Sequence, residues 1–272
     1  MRSLAFGAAA AIVFVMPAFA NVHQSWTEIL STYVKTDSTG LNRFDYAKLK
    51  ASAADSAKLD KYIVDLQKLT PSKMTDKEAF AYWANLYNAA TVQVIIQNYP
   101  VKSIRDINKN IGNVFGGPWK LNILNVEGND LSLDHIEHGI LRGEREAPNK
   151  AAFRVKDWKD PRVHYAVNCA SIGCPNLPTK AFTAETLDAD LDAGARAYVN
   201  HPRAVTVRAD GRLTVSSIYK WFKVDFGNTD AGVIAHLTKY AKPELAAKLK
   251  ASKGVAGDAY DWSINSPAVG RS

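Results

Sequence analysis

Apolar side chains in residues 24–35 (QSWTEILSTYVK) recur at helical spacing, with Trp26, Ile29, Leu30, Tyr33 and Val34 on one face. The segment therefore reads as an amphipathic helix, and Gly40 and Asn42 break the pattern after it. Residues 55–69 carry a second helical stripe that stops before Pro71. Residues 75–99 differ in kind. They open on Thr75-Asp-Lys-Glu78, a pattern in which the threonine and glutamate satisfy each other's free backbone donors. Phe80, Tyr82, Trp83, Leu86, Tyr87, Val92, Val94, Ile95 and Ile96 then cover nearly every face. A helix that is apolar all round must be buried on most sides, so this is the predicted central helix, closed by Pro100.

Further along, WKLNILNVEGNDLS (119–132) reads as a hairpin about Gly128-Asn129, and Ser132 is placed to cap a helix over 133–142. Pro161 opens an element at 161–170 whose type the pattern leaves open between helix and strand. Thr183 with Glu185 starts a helix running to about Asn200. AVTVRADGRLTVSS (204–217) is a second hairpin with Asp210-Gly211 in its turn. Helices near 230–240 and 243–251 follow, then a tail holding Tyr260-Asp261-Trp262. With no repeat, low-complexity tract or long linker, the expected class is α+β, a single helix-rich domain with a buried central helix and small β-hairpins.

The first residues read as a processing signal. Arg2 supplies a positive start, Leu4 to Met16 is almost wholly apolar, Pro17 breaks the run, and Ala18-Phe19-Ala20 forms a small-residue cleavage site. We expect residues 1–20 to be a signal peptide cut before Asn21, and 21–272 to be one exported domain, periplasmic or extracellular. The apolar run is short for the ~20 residues a membrane-spanning helix needs, and no later stretch qualifies.

The 272 residues hold 34 Lys and Arg against 27 Asp and Glu, a formal net charge of +7. The two signs are interleaved throughout, without the basic tract that marks a nucleic-acid partner. A hydrophobic share of 47% supports a sizeable core and excludes an intrinsically disordered chain. There is no Gly-rich phosphate loop and no dinucleotide fingerprint, so no cofactor is expected.

Candidate chemistry gathers at a few positions. Asn85 and Asn88 share a face of the central helix, where buried amides must find hydrogen bonds, to neighbouring loops or to a substrate. In LSLDHIEHGILR (131–142), Leu133, Ile136, Ile140 and Leu141 form the core stripe. Glu137 falls inside that stripe and His138 flanks it, while His135 points toward solvent. A buried carboxylate must be paired or protonated, which marks Glu137 and His138. In DPRVHYAVNCASIGCPNLP (160–178), helix and strand geometry alike put His164 and Asn168 together and turn Cys169 away. An activated Cys169 then needs a base from another segment, and His138 is the choice.

Cys169 and Cys174 are the two cysteines. Five residues of helix rise ~7.5 Å, too far for a disulfide, so the helix must end first, and Ser171, Gly173 and Pro175 supply the turn chemistry. Three readings stay open: a structural disulfide, a nucleophilic thiolate at Cys169, or a metal site adding His138 or His164.

The stretches AFAYWANLYNAATVQVII (79–96), LSLDHIEHGILR (131–142), DPRVHYAVNCASIGCPNL (160–177), AFTAETLDADLDAGARAYVN (181–200), SSIYKWF–DFG (216–227) and YDWSIN (260–265) resemble, in order, the family of domain of unknown function number 547. That family occurs in bacterial exported proteins and in plants. The resemblance covers most of 75–227, and its pattern maps onto Asn85, Tyr87, Asn88, Glu137, His138, His164, Asn168, Cys169 and Cys174. His135 departs from it, an acidic residue being usual there. The resemblance carries no reaction with it, but its plant members, not obviously exported, shift weight from a disulfide toward thiol chemistry.

The sequence thus points to a thiol-dependent hydrolase or acyl transferase of the envelope, acting on a small-molecule or peptide-like amide or thioester. Cys169 would be the nucleophile, His138 the base and Glu137 its orienting partner, with His164, Asn168, Asn85 and Asn88 positioning substrate. The alternative is a non-catalytic exported binding module with a Cys169–Cys174 disulfide.

Overall fold

The computed structural model describes residues 22–110, 116–143, 153 and 160–267. The expected signal segment lies outside them.

The chain is α+β and helix-rich, organised around one helix, Asp76–Asn98. Its start is held by Glu78, whose carboxylate accepts from the Thr75 backbone N–H at 2.9 Å and from the Thr75 hydroxyl at 2.7 Å. From Ala79 to Ile96 every residue but Gln93 is buried, as the all-round apolar pattern requires. Before it come α1 (Gln24–Tyr33), strands β1 (Val34–Thr36) and β2 (Asn42–Phe44), α2 (Tyr46–Ala51) and α3 (Ala53–Gln67); the central helix is α4. Helices α2 and α3 pack directly on it, and α1 packs on them. Hairpin β3 (Leu124–Val126) and β4 (Asn129–Leu131) follows, and the helical turn His135–Leu141 lies against α4.

Helix α5 (Leu187–Val199) joins two hydrophobic clusters. Leu187 and Leu191 belong to the core around α4, while Ala195, Tyr198 and Val199 belong to a second cluster. That second cluster is built from β5 (Val205–Val207), β6 (Leu213–Ser216), the short α6 (Ile218–Trp221), α7 (Asp230–Tyr240), α8 (Pro243–Lys250) and β7 (Val255–Ala259). Strand β6 lies between β5, antiparallel, and β7, parallel, so residues far apart in sequence close the sheet.

Several local expectations change. Val34 leaves the first helix for a hairpin whose turn is held by Asp37, which accepts from the Thr39 and Leu41 N–H groups at 2.8 and 3.1 Å. The second hairpin turns on Glu127-Gly128, one residue earlier than expected. Both residues have positive φ (47° and 76°), the geometry that matches the twist of the flanking strands. Ser132 does cap the next element, accepting from the His135 N–H at 3.2 Å, but His135–Leu141 is a π-helix. Segment 161–170 is neither helix nor strand throughout: a 3-10 turn over Pro161–Tyr165 gives way to irregular backbone. Among the described residues no helix is long and apolar enough to cross a membrane.

Candidate functional site

The cysteines sit on a loop that α4 holds by its amides. Asn88 donates to the Ala166 carbonyl at 2.8 Å and accepts from the Asn168 N–H at 2.8 Å. Asn168 donates to the Pro175 carbonyl at 2.7 Å and accepts from the Ala170 N–H at 2.8 Å. Ala170 takes a left-handed conformation (φ 58°) that turns the chain back. These bonds bring the Cα atoms of Cys169 and Cys174 to 6.4 Å, and the two are joined as a disulfide. About a turn earlier on the helix, Asn85 holds a second loop in the same way, exchanging bonds of 2.8 and 3.0 Å with the Phe182 backbone.

The tail closes over the cysteine loop. Ser171 bridges Ile264, while Ile172 and Gly173 donate to the carbonyls of Ser263 and Asp261, each at 2.8 Å. Tyr260 is thereby laid on the disulfide, its hydroxyl 3.2 Å from Cys169 Sγ, 3.0 Å from Cys174 Sγ and 2.9 Å from Ser171 Oγ. A Cβ at position 173 would come within 2.8 Å of the Tyr260 ring, which is why glycine stands there. Burial pushes the Tyr260 phenol well above its usual value, so it stays a donor.

Beside the disulfide lies a cavity of about 190 Å³. Trp119, Trp221, Phe222, Tyr260 and Trp262 wall it; Asp134, Glu137, His138 and His164 give it polar groups, and Tyr87 reaches it from α4. Glu137 accepts from the Tyr87 hydroxyl at 3.0 Å. That phenol is pushed far up, by burial first and by the Glu137 charge next, and so remains protonated. Burial also raises the Asp134 carboxyl; His138 opposes the rise and Glu137 adds to it.

The two histidines are bound differently. His164 Nε2 lies 2.7 Å from Asp225 Oδ2, which also accepts from Arg142 Nε at 2.6 Å. Burial alone would raise the Asp225 carboxyl, but the bonds from His164 and Arg142 outweigh it and hold it below its usual range. An ionised carboxylate only accepts, so Nε2 carries the proton. Burial lowers His164, against the pull of Asp225, so the ring is neutral near pH 7 and its basic nitrogen is Nδ1. Among the described residues no hydrogen bond engages Nδ1. The ring is fixed by stacking on Phe222 at 4.3 Å. In His138 the polarity is reversed: Nδ1 lies 3.0 Å from Arg142 Nη1, and a guanidinium only donates. The lone pair of His138 is therefore taken by Arg142, and its proton sits on Nε2, 3.7 Å from Asp134.

The structure brings Glu137, His138, His164, Cys169 and Cys174 to one cavity. It does not bring Asn85, Asn88 or Asn168 there: their amides hold backbone, and Asn88 and Asn168 position the cysteine loop. His164 and Cys169 both line the cavity while Asn168 does not, because the 3-10 turn ends at Tyr165 and no single regular geometry runs through 163–169. His138 makes its bond to Arg142, and Cys169 Sγ meets Ser171 and Tyr260 hydroxyls. Glu137 is half-buried and pairs with Tyr87 because the wider π-helical turn rotates it toward the cavity. His135 is half-buried, its Nδ1 accepting from the Ser132 N–H at 3.1 Å. Among the described residues no cluster of metal-ligating side chains appears. Sequence reasoning missed Arg142, Asp225, Ser171, Phe222 and Tyr260. All five lie in stretches the resemblance had marked: Arg142 in LSLDHIEHGILR, Ser171 in DPRVHYAVNCASIGCPNL, Phe222 and Asp225 in SSIYKWF–DFG, and Tyr260 in YDWSIN.

The fold and cavity define a helix-rich α+β protein with an aromatic-walled, disulfide-edged pocket. Residues 71–199 match the family described as Protein of unknown function, DUF547, in agreement with the resemblance seen in the sequence. No curated protein and no solved structure matches it.

Proposed function

We propose that the chain is an exported, thiol-dependent hydrolase or acyl transferase acting on an amide or thioester, with Cys169 as nucleophile and His164 as base. The observation that carries this is the His164–Asp225 pair: a neutral imidazole, its proton directed at a carboxylate, its basic nitrogen uncommitted, lining the cavity that Cys169 also lines. The base is His164 in preference to His138, whose lone pair Arg142 occupies.

The disulfide is the resting form in this reading. A dithiol donor gives up two electrons and two protons and becomes a disulfide itself, leaving Cys169 and Cys174 as thiols. His164 Nδ1 takes the Cys169 proton, and the hydroxyls of Ser171 and Tyr260, 3.1 and 3.2 Å from the sulfur, stabilise the thiolate. Attack on the acyl carbon forms the S–C bond. The leaving amine or thiol takes the proton from imidazolium, and water or an acceptor then releases the acyl group.

The test is per-cysteine iodoacetamide labelling across pH on protein reduced with dithiothreitol. Cys169 labels fast at pH 6, His164→Ala and Asp225→Asn remove that advantage, and His138→Ala keeps it. Labelling of Cys169 as an ordinary thiol, indifferent to His164, refutes the mechanism. The bond between Cys169 and Cys174 favours a second reading, a binding module whose disulfide is permanent. Thiol counting on protein from its native compartment separates the two, and N-terminal sequencing beginning at Asn21 tests export.

A further inference from the structure

The lining of the cavity selects a charge. Trp221, Tyr260 and Trp262 contact one another as a continuous aromatic wall, with ring centroids 4.9 Å apart for Trp221–Tyr260, 4.6 Å for Tyr260–Trp262 and 5.6 Å for Trp221–Trp262. Trp119 extends the wall, 5.8 Å from Trp262. The polar side of the cavity holds two carboxylates, Asp134 and Glu137, and among the described residues no lysine or arginine lines it. Of the histidines there, His164 is neutral, and His138 Nδ1 is engaged by Arg142. Arg142, close by, is paired with Asp225 and stacks on Phe222 at 4.5 Å. Lys120 acts on Asp134 from outside the lining.

Aromatic faces carry negative potential and attract cations, most strongly where water is excluded. Trp262 already does so, with the Arg105 guanidinium 5.2 Å from its centroid. Trp221 is 47% exposed, a large apolar surface that core packing does not explain. The cavity, about 190 Å³, exceeds the ~150 Å³ that suffices for a benzene-sized guest.

We propose that the group bound beside Cys169 carries a positive charge on apolar bulk, a quaternary ammonium or alkylated amine, held between the Trp221–Tyr260–Trp262 wall and the carboxylates of Glu137 and Asp134. This rests on the cavity being the reaction site, and it names the substrate class that such an enzyme would take. The chemistry of selection is cation–π attraction plus ion pairing, so a neutral molecule of the same shape is excluded only by the loss of charge.

The experiment is a tryptophan-fluorescence and calorimetric titration of the full-length protein, disulfide closed, with choline and with its uncharged carbon isostere 3,3-dimethylbutan-1-ol. Choline binds saturably, about tenfold or more tighter than the isostere. Glu137→Gln and Trp221→Leu each weaken choline about five- to tenfold. Glu137→Gln leaves the isostere unchanged, which shows that the cavity survives. Equal affinity for the two probes, no saturable choline binding, or choline binding indifferent to Glu137→Gln overturns the proposal. Titration with phosphatidylcholine vesicles then tells a free cation from a lipid headgroup, and saturation by either upholds the site. The measurement needs no free thiol. A choline site with thiol labelling indifferent to His164 would therefore leave this inference standing and remove the enzyme reading, and the reverse result would do the opposite.

Discussion

Replacing Asp225 by asparagine removes the anion that two buried partners share. Arg142 keeps only 3% of its side chain exposed and His164 only 2%, whereas Asp225 is 23% exposed. Removing one partner of a buried ion pair costs about 3–5 kcal/mol, and the bond Arg142 keeps to His138 together with the partial opening of Asp225 to water places the expected loss at the lower end, about 3 kcal/mol. For a chain of this size each kcal/mol moves the midpoint by about 2–4 °C, so Tm falls by roughly 6–12 °C at pH 7. Adding Arg142→Met removes the charge that has lost this partner while keeping an unbranched chain against Phe222, and it should recover at least half of the loss. The wild-type advantage also has a defined pH window. Asp225 is held below its unfolded value of ~3.9, so its contribution is complete above that pH and is lost as pH falls through the native pKa. Thermal unfolding followed by circular dichroism at pH 7 and in acid measures each term. A Tm within about 2 °C of wild type at pH 7 would refute the buried-pair reasoning. So would a double variant less stable than Asp225→Asn alone.

Burial pushes His23 down to about 4, against ~6.5 unfolded. The unfolded chain then takes up a proton that the native state refuses, and urea midpoints should show on the order of 3 kcal/mol lost between pH 6.5 and 4, a slope that His23→Gln flattens. Gly173→Ala drives a methyl into the Tyr260 ring, costing about 1–3 kcal/mol. After reduction the same variant should slow Cys169 alkylation, because Tyr260 is displaced from the sulfur; an unchanged rate would show that the phenol does not matter. Asn88→Ala strands the buried Ala166 carbonyl and Asn168 N–H at roughly 1–3 kcal/mol each, whereas Asn98→Ala, whose amide donates to the Val94 carbonyl of its own helix, should stay within about 0.5 kcal/mol. Equal unfolding midpoints for those two variants would count against the loop-holding role.

What the sequence made legible was local. Helix α4 could be read because its start is written in Thr75 and Glu78 and its burial in an apolar run that leaves no solvent face. The hairpin about Asp210-Gly211 and the helices Asp230–Tyr240 and Pro243–Lys250 were equally plain, being short-range patterns with their own punctuation. The helix wheel over 131–142 placed the core stripe correctly, since Leu133, Ile136, Ile140 and Leu141 are all buried. It failed for Glu137 because a π-turn advances each residue by a smaller angle than the wheel assumes. Asp225 lay in a stretch the resemblance had marked, but its role could not be read from the pattern around it. Nothing in its own neighbourhood announces a partner 61 residues earlier, and a carboxylate at the end of a short helix is ordinary. Strand β7 was invisible for the opposite reason: Val255–Ala259 has small residues and no alternation, and only its parallel pairing with β6 makes it a strand.

The tail that lays Tyr260 over the disulfide also sets an order of events. Cys174, the later of the two cysteines, precedes Tyr260 by 86 residues, so a chain made at ~5–20 residues per second presents both for roughly 4–17 s before their cover exists. Disulfide formation runs from seconds upward, depending on the oxidant. The oxidation state of the pocket is thus open to its surroundings while the chain is young. It comes under the protein's own control once the last strand has docked and Ser171 has paired with Ile264.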